Sequence, residues 1–204
     1  MSYRGKRAVD VAVAVPALVV TLPLTLAGAI AVRVTMGAPA FFRQARPGLH
    51  GRPFTMLKLR TMHAVDPASE RTDDASRLTR VGRVLRASSV DELPTLVNVI
   101  RGDMSLVGPR PLLMQYLGEY TPEQARRHNV RPGLTGLAQV RGRNSISWSE
   151  RFALDLAYVD HHDLRQDLSI LLLTVLRVLQ RRGITADGEA TVPVFRAESG
   201  PPHS

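Results

Sequence analysis

Residues Val11–Val32, VAVAVPALVVTLPLTLAGAIAV, decide the kind of protein this is, because no charged side chain interrupts them. A helix of that length reaches across a bilayer, which needs about 20 apolar residues. A cleaved leader fits poorly, since its apolar part is ordinarily ~7–15 residues followed by a small-residue cleavage site. Pro16 and Pro23 fall inside the run, and each removes a backbone donor and favours a kink. Both flanks are basic, with Arg4, Lys6 and Arg7 before the run and Arg33, Arg43 and Arg46 after it. The tendency of basic residues to stay cytoplasmic therefore selects neither end. Two topologies satisfy these facts: a single span, in which prolines are tolerated, and a helix that enters, bends near Pro23 and leaves by the same face.

The 204 residues suit one domain with a small appendage, and 44% hydrophobic residues suffice for a core. A formal net charge of +9 favours an anionic partner: a phosphate-bearing substrate, anionic lipid or nucleic acid. Aromatic residues make up only 5% of the chain, too few for the stacking platforms of single-strand binding, so no nucleic-acid partner is expected. The absence of cysteine excludes disulfides, thiolate metal sites and cysteine nucleophiles.

Beyond the apolar run, Ala40–Met62 reads as two extended segments joined by a glycine-containing turn, with Phe54, Met56 and Lys58 on one side and Thr55, Leu57 and Leu59 on the other. The polar stretch HAVDPASERTDDAS is a loop. Leu78, Val81 and Leu85 recur at helical spacing, and a second helix is expected over Pro94–Arg101, stopped by Gly102. TPEQARRH reads as a short helix and NVRPGLTGLAQVRGRNS as irregular. Ser147 and Glu150 form a capping-box pattern for a helix with Trp148, Phe152, Leu156 and Val159 on its apolar side. Leu168–Leu179 is an apolar helix too short to span, suited to the core or the membrane interface.

The chemistry concentrates in Ser88–Pro111, SSVDELPTLVNVIRGDMSLVGPRP, where Asp91 and Glu92 lie among Arg86, Arg101 and Arg110. One reading is local: Ser89 and Glu92 match a capping box, and acidic residues are favoured in a first helical turn. The other is functional. A carboxylate at a helix start is expected to be held ionised by the peptide dipoles, with nearby arginines lowering its pKa further, which makes it a preoriented nucleophile toward phosphorus or a Mg2+ ligand. The arginines then suit phosphate oxygens, and Pro109 and Pro111 stiffen the backbone on either side of Arg110. His128 and the pair His161 and His162 have no metal-ligand spacing with a third partner and read as structural or solvent-facing.

Four segments in order, KRAVDVAV, FFRQARPGLHGRPFTMLKLRTM, LRASSVDELPTLVNVIRGDMSLVGPRPLL and RHNVRPGLTGLAQVRGRNSISW, resemble the bacterial sugar transferases, the small monotopic polyprenyl-phosphate phosphoglycosyl transferases, most closely the bacillosamine-phosphate transferase type. The resemblance runs from about Tyr3 to Phe195. It implies transfer of a sugar-1-phosphate, with an N-acetylated amino-sugar leading, from a UDP-sugar to polyprenyl phosphate with release of UMP. This is the first membrane step of glycoconjugate synthesis, with downstream glycosyltransferases as further partners. It implies Asp91 as nucleophile and Mg2+ ligand, Glu92 as second catalytic carboxylate, and Arg86 and Arg110 as phosphate-binding residues. Lys58, Arg143 and Asn144 fall in further substrate-binding segments.

The resemblance also implies the architecture. The expected fold is mainly α with a small β-hairpin: a re-entrant membrane helix over residues 1–36, bent at Pro23, and a compact α/β catalytic domain over residues 37–204. The domain is expected at the lipid bilayer, on the cytoplasmic face of the bacterial inner membrane. Leu22 stands where the family carries a serine before the bend proline, and Pro16 is an additional proline. The competing class is a membrane-tethered anion-binding module without catalysis.

Overall fold

The apolar run and a turn or more on either side form α1 (Lys6–Met36). The computed structural model of the chain describes residues 3–64, 73–142 and 146–180. α1 continues through Pro16 and Pro23, so the bend expected at Pro23 does not divide it into two helices. The lost hydrogen bond is tolerated because the turns on both sides rest against the same body. Lys6, Asp10, Ala14, Thr25, Gly28 and Val32 are buried, all on one helical stripe. The opposite face is apolar and open, with Val20 77% and Val34 79% exposed. Among the described residues this is the one helix long and apolar enough to cross a membrane.

Both ends of α1 are tied down by charge. At its start Lys6 pairs with Asp167, and Asp10 accepts from the Ser105 hydroxyl and the Leu106 N–H at 3.0 Å each. Arg7 donates to the carbonyls of Val99 and Ile100. At its end, Gly37 donates back to the Arg33 carbonyl, and Arg60 donates to the carbonyls of Met36, Gly37 and Ala38, satisfying groups the helix leaves unpaired.

The expected hairpin is present: β1 (Phe41–Pro47) pairs antiparallel with β2 (Pro53–Leu59), with Phe42 opposite Lys58. After α2 (Asp74–Arg77) and α3 (Arg80–Ala87), a 3-10 turn over Val90–Thr95 leads into α4 (Leu96–Arg101), so the predicted Pro94–Arg101 helix starts later, preceded by a tighter turn. α4 and that turn lie along the edge of β2 that β1 leaves free. Asn98 accepts from the Leu57 N–H at 3.1 Å and donates to the Thr55 carbonyl at 2.8 Å, while Thr95 donates to the Leu57 carbonyl at 2.8 Å.

Gly133–Thr135, expected to be irregular, pairs with Ser105–Val107, for which no strand was expected, as short parallel strands β4 (Gly133–Thr135) and β3 (Ser105–Val107). Their six residues are too few to show a period, and the pairing spans a long loop. Between them lie α5 (Pro122–Ala125), with a Thr121–Gln124 capping box, and a 3-10 turn over Arg126–Asn129. After β4 come α6 (Leu137–Arg141), α7 (Trp148–His161), opened by the predicted Ser147–Glu150 box, and α8 (Leu164–Leu179). One core joins Ala14, Leu96, Val99, Met104, Tyr158 and Ile170; a second joins Val32, Leu59, Leu85 and Val90. α1 contributes to both, so the expected division at residue 36 is not a division of cores. The buried face of α7 carries Arg151, Phe152, Asp155 and Tyr158 and is more charged than its apolar pattern predicted, with Leu156 and Val159 only half-buried.

Gly82 in α3 offers a test of this packing. A Cβ there would lie 1.9 Å from the Thr61 carbonyl oxygen, a backbone atom that cannot turn aside. Alanine gains about 1 kcal/mol of helix propensity over glycine, but the overlap forces α3 off its seat at a cost of ~1–3 kcal/mol or more. Gly82→Ala is expected to lower the melting temperature, and an unchanged or higher value counts against this packing.

Candidate active site

Asp91 and Glu92 sit in the 3-10 turn that precedes α4. The predicted Ser89–Glu92 capping box does not form: Ser89 adopts a left-handed conformation with φ 57° and its side chain makes no capping bond. Glu92 is committed elsewhere. Its Oε1 accepts from Lys58 Nζ at 2.6 Å and from Arg110 Nη2 at 2.6 Å. Two charge-assisted bonds outweigh what a single backbone N–H would offer. The β2 edge contacts of Asn98 and Thr95 set this geometry by fixing Lys58 in register with the turn.

Burial alone would raise the Glu92 pKa, but the charges of Arg110 and Lys58 and their hydrogen bonds hold it well below the carboxylate range. Glu92 in turn raises the Arg110 pKa, while burial lowers that of Lys58 against the pull of Glu92. Asp91 has the opposite fate. It is 8% exposed and accepts no hydrogen bond from the described residues. The sequence led to a lowered pKa, but burial first, then the adjacent Glu92 charge, push it up to about 6 and outweigh Lys58, Arg86 and Arg110. The pair thus separates into a neutralised carboxylate and a less stabilised, more basic one.

The structure brings together Asp91, Glu92, Lys58, Arg86 and Arg110. Arg86 is held in α3 by bonds from Nε to Thr61 Oγ1 and from Nη2 to Met62 Sδ, each 3.0 Å. Arg101 is not in the group: it is exposed at the far end of α4. Arg143 and Asn144 lie outside the described residues. His128 and His162 are buried, and His162 Nδ1 lies against the carbonyls that end α7, a structural role. Sequence reasoning missed Thr95 and Asn98, although a lone asparagine inside the apolar run LPTLVNVI was a legible signal of a buried polar contact.

No three His, Cys, Asp or Glu side chains converge as a metal cage among the described residues. The donors present still fit Mg2+, which binds through one or two carboxylates and completes its shell with water and substrate phosphates. Asp91, whose carboxylate is not claimed by a neighbouring hydrogen-bond donor, is the residue that would hold it.

The raised pKa of Asp91 has a consequence for stability. An acid that binds its proton more tightly folded than unfolded stabilises the native state below the unfolded pKa and loses that contribution as pH rises through the folded one. With values of 3.8 and about 6, ionised Asp91 costs on the order of 3 kcal/mol above the upper limit. In chelator, Asp91→Asn is expected to melt higher than wild type at pH 7.5 and to lose the advantage near pH 4. A variant no more stable at pH 7.5 rules out the strained-carboxylate account.

Residues 1–181 match the family Bacterial sugar transferase. The chain is 50% identical over 191 residues to the "Uncharacterized sugar transferase EpsL" of Bacillus subtilis, covering 93% of this chain and 95% of that one. It is 47% identical over 187 residues to a UDP-glucose:undecaprenyl-phosphate glucose-1-phosphate transferase of Caulobacter vibrioides, covering 85% and 69%. It is 39% identical over 163 residues to the galactosyl transferase CpsE of Streptococcus agalactiae, covering 72% and 36%. With the family's pattern running through α1, the hairpin, the acidic dyad and the helices that enclose them, the chain belongs to the bacterial sugar transferase family.

Proposed function

We propose that this protein is a phosphoglycosyl transferase that moves a hexose-1-phosphate from a UDP-sugar to membrane polyprenyl phosphate and releases UMP. The observation that carries this reading is the division of labour in the dyad. Glu92 holds Lys58 and Arg110 in place, leaving Asp91 buried, without a hydrogen bond from the described residues, and unusually basic.

Above pH 6 the Asp91 carboxylate is mostly ionised and suited to attack phosphorus. Its oxygen forms a bond to the sugar-bearing phosphorus, the phosphoanhydride bond breaks, and the electron pair leaves with UMP. An oxygen of polyprenyl phosphate then attacks the same phosphorus, releasing the Asp91 carboxylate and yielding the polyprenyl diphosphate sugar. Each step exchanges one phosphoester or anhydride for another, so catalysis is positioning and charge neutralisation. Arg110 and Arg86 carry planar donors suited to phosphate oxygens. Mg2+ held at Asp91 would supply neutralisation of diphosphate charge. The lipid-linked product then serves as an acceptor for downstream glycosyltransferases.

The names of the relatives carry glucose and galactose, which favours a neutral hexose, glucose first, over the amino-sugar expected from the bacillosamine-type resemblance. The test offers UDP-glucose, UDP-galactose and UDP-N-acetylglucosamine separately, with Mg2+ and undecaprenyl phosphate, and measures UMP. Wild type is expected to release UMP, Asp91→Asn none, and Arg110→Lys far less, because an ammonium cannot reproduce the guanidinium fork. With lipid omitted, a sugar-phosphate mass is expected on the peptide holding Asp91. UMP from none of the sugars would leave the anion-binding module as the surviving reading, and full activity in Asp91→Asn would remove the covalent step.

We further propose that α1 does not cross the membrane and that the catalytic body lies on the cytoplasmic face, where UDP-sugars are made. Support comes from the contacts at both ends of α1, Lys6 and Asp10 at one and Arg60 at the other, all to the same body. With no native cysteine, single cysteines at Arg4 and at Glu123 are expected to react with a membrane-impermeant reagent from the same side of intact membranes. Labelling from opposite sides overturns the topology while leaving the chemistry standing.

A further inference from the structure

A salt bridge lies deep beside the site, between side chains that neither the dyad nor the membrane helix uses. Arg127 and Asp155 are each 2% exposed, and Arg127 Nη2 meets Asp155 Oδ2 at 2.6 Å. The same Nη2 donates to the carbonyl of Arg110 at 2.8 Å, and Nη1 reaches the Tyr120 hydroxyl at 3.3 Å. The guanidinium lies 5.6 Å from the Phe152 ring centre and 5.9 Å from that of Tyr120.

Desolvating two charges is costly, and apolar pairs of similar volume often serve a core as well or better. What an apolar pair cannot do is donate to the Arg110 carbonyl. That corner has one backbone N–H for three carbonyls, since Pro109 and Pro111 have none. Its three successive carbonyls are each held from a different element. Gly133 N–H donates to Pro109 at 2.9 Å, Arg127 to Arg110, and Arg46 to Pro111 at a longer 3.4 Å. Gly108 and Gly133 make the first of these possible, because a Cβ on Gly133 would lie 2.1 Å from the Gly108 nitrogen. At the other end of the corner residue, the Arg110 guanidinium reaches Glu92.

We propose that Arg127 and Asp155 are positioning residues that clasp the Pro109–Arg110–Pro111 corner and so hold the Arg110 guanidinium in reach of Glu92 and the substrate phosphates. The inference rests on the role given to Arg110 above. Asp155, from α7, fixes the Arg127 guanidinium; Arg127 fixes the corner.

The test replaces the pair with apolar side chains, Arg127→Met with Asp155→Leu. If the pair only supports folding, this protein folds and keeps its turnover. The clasp predicts instead a cooperative melt near that of wild type and a kcat lower by ~100-fold, the scale of loss from a misplacement of about 1 Å. In an Arg110→Ala background the same change is expected to cost little further, since its effect acts through Arg110. Unaltered kcat, or losses that multiply independently of Arg110, overturns the proposal. Should the apolar pair fail to fold, Arg127→Gln with Asp155→Asn keeps a polar, uncharged pair whose shorter side chain ends short of the Arg110 carbonyl, and is expected to lose kcat through Arg110 alone; wild-type turnover there overturns it equally. If wild type releases no UMP, hydrogen exchange at the Gly133 N–H decides. Faster exchange in the variant keeps the clasp while the transferase reading fails, and unchanged exchange removes the clasp as well.

Discussion

The amide of Asn98 and the hydroxyl of Thr95 occupy the free edge of β2, and the site takes its register from that contact. A two-stranded hairpin alone is marginal in water and slips easily. Here side chains do the work of a third strand, pairing with Thr55 and Leu57. A slip of one residue would turn Lys58 to the other face and leave Glu92 with Arg110 alone. The α4 helix therefore has two jobs. Its buried leucine and valine supply the core, and its one amide fixes which side of the hairpin faces the dyad.

Two adjacent carboxylates with opposed environments are a recurrent way to obtain different chemistry from one residue type. Glu92 absorbs two cations, at the cost of being useless as a base. Asp91, buried in the same turn, accepts no hydrogen bond from the described residues, which makes it more basic and a poorer contributor to stability. Such strain persists only where the surroundings over-determine it. The surroundings here are Val90, packed with Val32, Leu59 and Leu85 on one side of Asp91, and the Lys58–Glu92–Arg110 cluster on the other.

Much of this was legible in the sequence where the signal is local. The hairpin followed from alternation and a glycine turn, and the start of α7 from Ser147 and Glu150. The same capping logic failed at Ser89 and Glu92 because partners distant in sequence offered Glu92 stronger bonds. β3 and β4 were invisible because three-residue strands carry no period and their pairing is long-range. The buried face of α7 was misread for a related reason. Hydrophobic spacing pointed to Leu156 and Val159, whereas the helix buries Asp155 to meet Arg127, a residue from another part of the chain. Arg86 and Arg110 were read beside the dyad from their nearness in the chain, together with Arg101, which the structure sets apart, whereas Lys58 came from family resemblance.

The relation of α1 to the dyad follows from the same packing. Gly28 of α1 lies so close to the body that a Cβ there would meet Leu59, Leu85 and Val90 at 2.7, 3.3 and 3.5 Å. Val90 is the residue before Asp91. Asp91 therefore stands one residue from the line along which the apolar helix is buried, and it cannot be raised or lowered relative to that helix without breaking the second core. The outer faces of α1 and α8 expose Val19, Val20, Ile30, Leu168, Leu172 and Val175. If that apolar surface sets the depth at which the protein rides in lipid, it also sets the depth of Asp91. Under the proposed reaction the acceptor phosphate, carried on a polyprenyl chain, cannot leave the headgroup layer, so a carboxylate that has to meet it would need to be positioned by α1 itself, not by a flexible tether.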